Sequence, residues 1–520
     1  MRTSDRTADL RVGVDVGGTN TDAVVLDAAN RIVASTKQPT SPDVTAGMRA
    51  AVSAVLAELG EDRSRVGRVM LGTTHAVNAI LERRRLGRVA AVRLGAPSSL
   101  SIPPLESWPD DLRRTAVVST TTLRGGYYVD GRSLADLDRD GLRRFLGAVA
   151  GRVDAIALTG VFSPASPEQE LQAAEITAEE LGPDVAVSLS HEIGALGLLE
   201  RENATVLNAM LYRVARHVRD ALQAVLDEHG LRVSRYFTQN DGTLMEVDFA
   251  ARYPVLTIGS GPANSIRGAA YLSGFSDAIV ADVGGTSTDL GVLVNGFPRV
   301  SSVGAEIGGV RTNFRMPDIL ALALGGGTVI DGDGVPGITS VGYRIGEEAL
   351  VFGGGTPTMT DACVAAGRTG LGRHRVPERL RRALAAAVGH ADERVADAVD
   401  RMSLGKAGMP LVVVGGGAFL VPDGLPGVAA VVRPEHGGVA NAVGAAIALV
   451  SGSCETIAPA GNGRREAVEA AAETARRRAV QAGADPSSVE IVEMSEIPLS
   501  YLPEPSLRVQ IKAAGPLGKL

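Results

Sequence analysis

The chain has 520 residues, 45% hydrophobic and 21% charged, with a formal net charge of −7. That is an ordinary globular composition, with length for about three or four domains and deep cores. The acidic balance speaks against a nucleic-acid partner. No apolar run approaches the ~18 residues that a bilayer span needs, and the first ten residues are polar with no apolar leader, so a cytoplasmic chain is expected.

In chain order, a β-branched run from Val12 to Val14 leads into Asp15-Val-Gly-Gly-Thr-Asn-Thr-Asp22 and a second apolar run, Ala23 to Leu26, which predicts strand, tight turn, strand. An Ala-rich helix over Val44 to Glu58 and a strand over Val66 to Leu71 follow, an α/β layout. Val117 to Asp130 reads as a strand pair, the segment from Leu134 as a helix, and Ala155 to Thr159 as a buried strand before a helix start at Pro167-Glu168. Apolar residues at helical spacing from Val206 to Val225 predict a long amphipathic connector, Arg201 to Glu228, suited to a hinge.

The second half opens near Ser234 and contains Asp282-Val-Gly-Gly-Thr-Ser-Thr-Asp289, again between apolar runs. A Gly-rich stretch from Gly325 to Gly355, a helix from Pro377 to Met402 and a strand running into Gly415-Gly416-Gly417 come next. An Ala/Arg/Glu helix (Glu466 to Ala482) and two alternating strands (Glu490 to Met494, Leu507 to Lys512) close the chain. The expected division is a first α/β domain over 1–200, a second over 201–455 and a small α+β appendage over 456–520.

The two Asp-Val-Gly-Gly-Thr phrases differ at one position in eight and lie 267 residues apart. One copy alone is adequately read as a hairpin; two near-identical copies point to a duplicated site. Gly17-Gly18 and Gly284-Gly285 are expected to supply positive φ and to let backbone N–H groups approach an anion. Thr19, Asn20, Thr286 and Ser287 add polar groups for phosphate, and Asp15 and Asp282, at strand ends, suit a hydrated Mg²⁺. Gly415, Gly416 and Gly417 would let an adenosine lie against backbone.

Other features are weaker. Thr73, Thr74 and Asn78 follow a strand where an α/β cleft would open, and read equally as substrate contacts or as a helix N-cap with a surface Asn. Asn240 and Asp241 carry polar groups in a Gly-containing turn. His75, His191, His374 and His436 are open to acid, base, ligand or structural roles. The Arg83–Arg85 and Arg476–Arg478 runs read as solvated helix faces, and Cys363 and Cys454 as small buried side chains outside the mechanism. No Gly-x4-Gly-Lys-Ser/Thr, His-Glu-x-x-His, Cys-x-x-Cys or Gly-x-Ser-x-Gly occurs.

The order of phosphate hairpin, second phosphate hairpin and strand-Gly-Gly-Gly resembles the actin, chaperone ATPase and sugar-kinase superfamily. The implied fold is two ribonuclease-H-like α/β domains closing over ATP. More finely, Val12-Gly-Val-Asp-Val-Gly-Gly-Thr19, Gly72-Thr-Thr-His-Ala-Val-Asn-Ala-Ile-Leu-Glu-Arg83, Asn203-Ala-Thr-Val-Leu-Asn-Ala-Met210, Gln239-Asn-Asp-Gly-Thr-Leu-Met245, Ser260-Gly-Pro-Ala263, Ala281 to Asp289, Pro357-Thr-Met-Thr-Asp-Ala362 and Gly438-Val-Ala-Asn-Ala-Val-Gly-Ala445 resemble, in order, the hydantoinase A/5-oxoprolinase family. The resemblance runs to about residue 450.

It implies ATP-dependent opening of a cyclic amide: phosphorylation makes the carbonyl oxygen a leaving group, water attacks carbon, and the ring opens with release of phosphate. It also implies a separately encoded second subunit. On this reading Asp15, Asp282, Thr19 and Thr286 carry the chemistry with ATP and Mg²⁺, the hairpin residues hold phosphates, and Thr73, Thr74, Asn78, Asn240 and Asp241 face substrate. The family's Asp-x-His phrase is Asp318-Ile-Leu320 here, and leucine can neither ligate a metal nor shuttle a proton, which puts a second metal site in doubt. A small-molecule kinase of the same fold and a nucleotide-switched activator or scaffold are the alternatives.

Overall fold

The computed structural model describes residues 9–40, 44–193, 196–301, 304–313, 316–406, 408–499 and 504–518. Two hairpins organise it. Leu10–Val16 pairs antiparallel with Asn20–Leu26 and parallel with Val66–Thr73. Ala278–Val283 pairs antiparallel with Thr288–Val294 and parallel with Met409–Val414. The sequence duplication is therefore also a duplication of topology: a hairpin plus a parallel third strand whose end carries a glycine or threonine turn.

Both faces of these strands are covered, which is why they read as nearly continuous apolar runs. Val12, Val14 and Val16 pack with Met48, Val52 and Leu222 from the helices Val44–Leu59 and Leu198–Glu228. Val24 and Leu26 pack on the other face with Ala442 and Val443 of the helix Ala440–Ala446. In the second hairpin, Ile279, Ala281 and Val283 face Leu384, Val388 and Val395 of the helix Arg381–Ser403, while Val280 and Leu293 face Ile266 and Ala269 of the helix Ser260–Ser273.

The first sheet has nine strands, in the order Glu490–Leu499, Ser506–Gly515, Val450–Pro459, Leu244–Glu246, Ser234–Thr238, Val66–Thr73, Leu10–Val16, Asn20–Leu26, Ile32–Pro39. Strand pairing thus ties residues 450–515, and also 234–246, to the N-terminal hairpin, across the segment limits expected at 200 and 455. The physical link is Leu244 pairing with Val450, with the apolar residues of Val450–Pro459, Ser506–Gly515 and the helix Arg464–Gln481 forming a shared core with Met70 and Leu244. A separate four-stranded parallel sheet, Val117–Arg124, Val89–Ala96, Ala155–Gly160, Ala186–Leu189, is inserted after Val66–Thr73. The expected strand pair over 117–130 is one strand, stopped by Gly125 and Gly126 at φ +144° and +94°.

The helices Ser260–Ser273 and Ala440–Ala446 cross with their backbones in contact. A Cβ on Gly268 would lie 1.9 Å from the Ala440 carbonyl oxygen, and one on Gly444 1.9 Å from that of Asn264. Each helix bridges the two hairpin systems, so this glycine crossing fixes how the two systems face each other. No helix among the described residues is long and apolar enough to cross a membrane.

Candidate functional site

The turns of the two hairpins meet. A Cβ on Gly285 would stand 2.9 Å from Thr19 Cγ2 and 3.0 Å from its Oγ1. The first turn is closed by the Gly17 amide donating to the Asn20 carbonyl (3.0 Å) and the second by Gly284 donating to Ser287 (2.8 Å). None of Gly17, Gly18, Gly284 and Gly285 adopts positive φ, which corrects the sequence expectation. For Gly285 the requirement is close approach to the facing loop.

A second glycine loop braces the second turn from behind. Gly326 and Gly327 donate to the carbonyls of Gly284 (3.0 Å) and Gly285 (2.7 Å), and a Cβ on Gly325 would lie 2.8 Å from the Gly284 carbonyl oxygen. Thr360 Oγ1 and Thr358, in the phrase 357–362, anchor that loop and the following helix Met359–Ala365: Thr360 donates to Gly326 O (2.9 Å), and Asp361 caps Thr358. The sequence marked this stretch as Gly-rich without giving it a role.

Gly415 is the one of the three late glycines with positive φ, at +87°, and a Cβ there would lie 2.4 Å from Asp282 Oδ1. Gly417 donates to Val283 O (2.8 Å), so the triad lies flat on the second hairpin. Lys37 of the first sheet reaches over it: its Cε is 3.9 Å from a Cβ built on Gly416.

Four carboxylates collect beneath the turns, because Asp15 is directly opposite Asp22, and Asp282 opposite Asp289. Asp15 and Asp22 are buried. Burial, reinforced by Asp22 and Asp282, pushes the Asp15 carboxyl up to about 7. Burial lifts Asp22 to about 6 against the pull of Lys37, whose Nζ sits 2.7 Å from both its oxygens. Asp289 rises to about 7 through burial and Asp282, and Asp282 is raised by burial.

Asp15 and Asp282 are joined by two side chains. Asn441 Nδ2 donates to Asp15 Oδ2 (3.3 Å), and the Ser265 hydroxyl lies between Asp282 Oδ2 (2.5 Å) and Asn441 Oδ1, its single proton shared between the two acceptors. Asp15 Oδ1 is buried with no partner among the described residues. A hard divalent cation fits this set: an orphaned carboxylate oxygen, raised carboxylates around it, and oxygen donors only. Among the described residues no group of three or more His, Cys, Asp or Glu is arranged to hold a metal. A cation on Asp15 and Asp282 would therefore keep much of its water, as Mg²⁺ does.

The expected substrate residues are scattered. Thr74 Oγ1 donates to Val16 O at the end of the first hairpin strand (3.3 Å) and receives Asn78 Nδ2 (3.3 Å), while capping no helix amide. Thr73 is buried against His75 Nδ1 (2.7 Å). Asn240 clamps backbone, accepting from Gly259 N (2.7 Å) and donating to Val255 O (3.1 Å). Asp241 is taken up by Lys512 Nζ (2.5 Å) and Thr243 Oγ1 (2.6 Å). Among the four histidines, His191 bonds the buried Glu170 (2.6 Å), His374 lies beside Gly353 and His436 is a half-exposed turn residue at φ +60°. Leu320 pairs with Leu290 beside the second hairpin, and Asp318 bonds Arg299 (2.8 Å). Cys363 is buried and Cys454 partly so; neither forms a disulfide.

Residues 11–181 match the model of the hydantoinase/oxoprolinase N-terminal region, and residues 201–372 that of hydantoinase/oxoprolinase itself. The chain belongs to the hydantoinase/oxoprolinase family. Relatives include the caprolactamase alpha subunit of Pseudomonas jessenii, 27% identical over 69% of this chain and 54% of that one. The acetophenone carboxylase gamma subunit of Aromatoleum aromaticum is 28% identical over 68% and 53%. This hydantoinase/oxoprolinase chain spans about half the length of the curated relatives it matches.

The structure of the ATP-dependent caprolactamase from Pseudomonas jessenii superposes with a TM-score of 0.74 at 20% identity, covering 98% of this chain and 89% of that one. Nucleotide-free acetone carboxylase gives 0.72 at 18%, covering 98% and 88%. At these identities the likeness establishes the fold, which is that expected from the paired hairpins.

Of the residues that the fold gathers at the two turns, the hairpin phrases and the glycine triad stand out in sequence. Asn441, Ser265, Asp22, Asp289 and Lys37 were not assigned. Asn441 and Ser265 lie in or beside family phrases, which was the available signal.

Proposed function

We propose that this chain handles ATP in a hydantoinase-type reaction: it phosphorylates the oxygen of a cyclic amide such as a hydantoin, 5-oxoproline or lactam, so that water opens the ring. The observation that carries this is the pair of facing hairpins with Asp15 and Asp282 joined beneath them. Asp15 and Asp282 hold Mg²⁺. Gly17, Gly18, Thr19, Asn20, Gly284, Gly285, Thr286 and Ser287 hold the phosphates, with Thr19 and Thr286 nearest the transferring group, and Gly415, Gly416 and Gly417 take the adenosine.

The turns then work by position and charge: amides and hydroxyls already fixed at the hairpin tips stabilise the charge that builds on the transferred phosphoryl group without reorganising. Lys37, paired with Asp22, adds one positive charge on the same side. Phosphoryl transfer to oxygen removes the resonance that protects an amide; water then adds to that carbon, the C–N bond breaks with the ring nitrogen leaving as the amine, and a second water hydrolyses the resulting acyl phosphate, so that release of phosphate offsets the opening of an unstrained ring. Thr74 and Asn78, at the end of the first hairpin strand, are the substrate-facing pair. Thr73, Asn240 and Asp241 are already engaged inside the protein.

Relatives that are named subunits support a second, separately encoded subunit for this chain. The carboxylase relatives favour a ketone as a second substrate class, since a ketone that gives up an α-proton to a base accepts a phosphoryl group on its enolate oxygen, forming an enol phosphate.

The test is phosphate release from Mg·ATP with hydantoins, 5-oxoproline, lactams and simple ketones, beside Asp15→Asn and Asp282→Asn. Stimulation by a ring, lost in both variants, is expected. Stimulation by ketones alone moves the reading to the carboxylase class, a persistent phosphorylated product to a kinase, and ATP binding with no stimulation in the presence of the partner subunit to a nucleotide-driven switch.

A further inference from the structure

Arg267 lies mid-way along the helix Ser260–Ser273 and is 8% exposed. Its Nε and Nη1 are buried with no hydrogen-bond partner among the described residues. A buried guanidinium ordinarily pairs with a carboxylate, because leaving that charge uncompensated costs several kcal/mol. The nearest candidate, Asp241, already has both oxygens engaged, by Lys512 and by Thr243. The rest of the charge faces the Phe297 ring, whose centroid is 5.1 Å from Arg267 Cζ.

Arg267 also lines a solvent-open depression of about 370 Å³ on the surface. Its other walls are Ala270 and Tyr271 from the same helix, Gly274, Phe275 and the polar Ser276 just beyond its end, Gly296 from the turn after Thr288–Val294, and Ile447 just beyond the helix Ala440–Ala446. Tyr271 and Phe275 are 40% and 37% exposed, an unusual outlay of aromatic surface in a chain that is only 3% aromatic. The Tyr271 hydroxyl is committed to Asn30 O (2.8 Å), which holds that ring in place. One unpaired buried cation with an apolar, aromatic rim is the donor set for an anion attached to a hydrocarbon body.

We propose that this depression is a binding site for a small organic carboxylate, whose charged end pairs with Arg267 and whose apolar body lies on Tyr271, Phe275 and Ile447. It is distinct from the hairpin site and does not depend on the reaction assigned there. Desolvation, only partly opposed by the Asp241 charge, pulls the Arg267 guanidinium down to about 10, and the charge of an entering anion offsets it. Bulk alone selects against inorganic phosphate, which would leave the aromatic walls uncovered.

Two residues before Arg267 on the same helix, Ser265 holds Asp282, and the next residue, Gly268, is the crossing contact with Ala440. Occupancy at Arg267 therefore acts on the helix that joins the two hairpins.

The test is thermal unfolding and titration calorimetry of the full chain with hexanoate, acetate, inorganic phosphate and hexylamine, on the native protein, Arg267→Met and Ala270→Phe. Hexanoate is expected to raise Tm saturably, at least ten-fold more tightly than acetate or phosphate, with no effect of hexylamine. Arg267→Met should unfold at higher temperature than the native protein without ligand and lose the hexanoate response. Ala270→Phe, which fills the depression and keeps the charge, should lose it too. A native response no different in the two variants, tighter phosphate than hexanoate, or an Arg267→Met protein less stable than native would overturn the assignment, the last because it would make Arg267 a satisfied structural residue.

Discussion

Gly285 sits against Thr19. The tips of the two hairpins, 266 residues apart in sequence, are in van der Waals contact, with the closest atom to a Cβ at 285 being Thr19 Cγ2 at 2.9 Å. Gly285→Ala should push the turns apart, destabilise the chain by about 1–3 kcal/mol and weaken nucleotide binding. Thr19→Ala removes both the methyl at 2.9 Å and the hydroxyl at 3.0 Å, so Thr19→Ala/Gly285→Ala should recover most of the lost stability. Equal stability of the single and double variants would show that the contact is not what excludes a side chain at 285.

Asn441 is the bond between the two halves of the carboxylate cluster, reaching Asp15 directly and Asp282 through Ser265. Asn441→Ala should leave the fold intact and lower Mg·ATP turnover on the order of 10–100-fold, the usual cost of losing an outer partner of a ligand. Asn441→Asp adds a fifth carboxylate beside the four raised ones, strengthens the attraction for a divalent cation and should lower the Mg²⁺ concentration needed for half-maximal rate. Phosphate release across a Mg²⁺ titration measures both.

Arg93 and Glu202 form a fully enclosed ion pair, 0% and 2% exposed, with contacts of 2.8 and 2.5 Å that pin the inserted parallel sheet to the helix Leu198–Glu228. Glu202→Gln leaves the guanidinium without its counter-charge and should cost about 3–5 kcal/mol in denaturant unfolding. Replacing both, as Arg93→Met/Glu202→Leu, should cost much less than the single change. A double variant as unstable as the single would mean that shape and not charge governs the site.

His75 is held neutral: burial, with Arg85 and His217 adding to it, pulls the imidazole down to about 4 from 6.5. The unfolded chain takes up the proton below 6.5 while the folded chain does not until about 4, so this residue's contribution to stability is lost as pH falls through that window. The loss is at most about 3 kcal/mol. Asp15, Asp22 and Asp289 have raised values and act with the opposite sign over the same range. The measurement is accordingly the difference in unfolding free energy between native protein and His75→Asn from pH 4 to 7. It should shrink as pH falls, and a difference independent of pH would remove His75 from the balance.

What the sequence determined by itself was local. Nearly continuous apolar runs around Gly-Gly dictated both hairpins, and their repetition announced a duplicated site, because hydrophobic patterning and turn chemistry act within a few residues. The same holds for the helix Leu198–Glu228, whose buried stripe is written at helical spacing. Tertiary structure decided everything that depends on which distant backbones touch. That Gly285 serves close approach, and none of the four hairpin glycines positive φ, follows from Thr19 facing Gly285 and from the backbone of the turns. That residues 450–515 join the first sheet follows from the pairing of Leu244 with Val450. That Asn441 and Ser265 link Asp15 to Asp282 follows from two helices crossing at Gly268 and Gly444, where the missing side chains let the backbones meet. Such contacts depend on packing between elements hundreds of residues apart, and no local pattern records them.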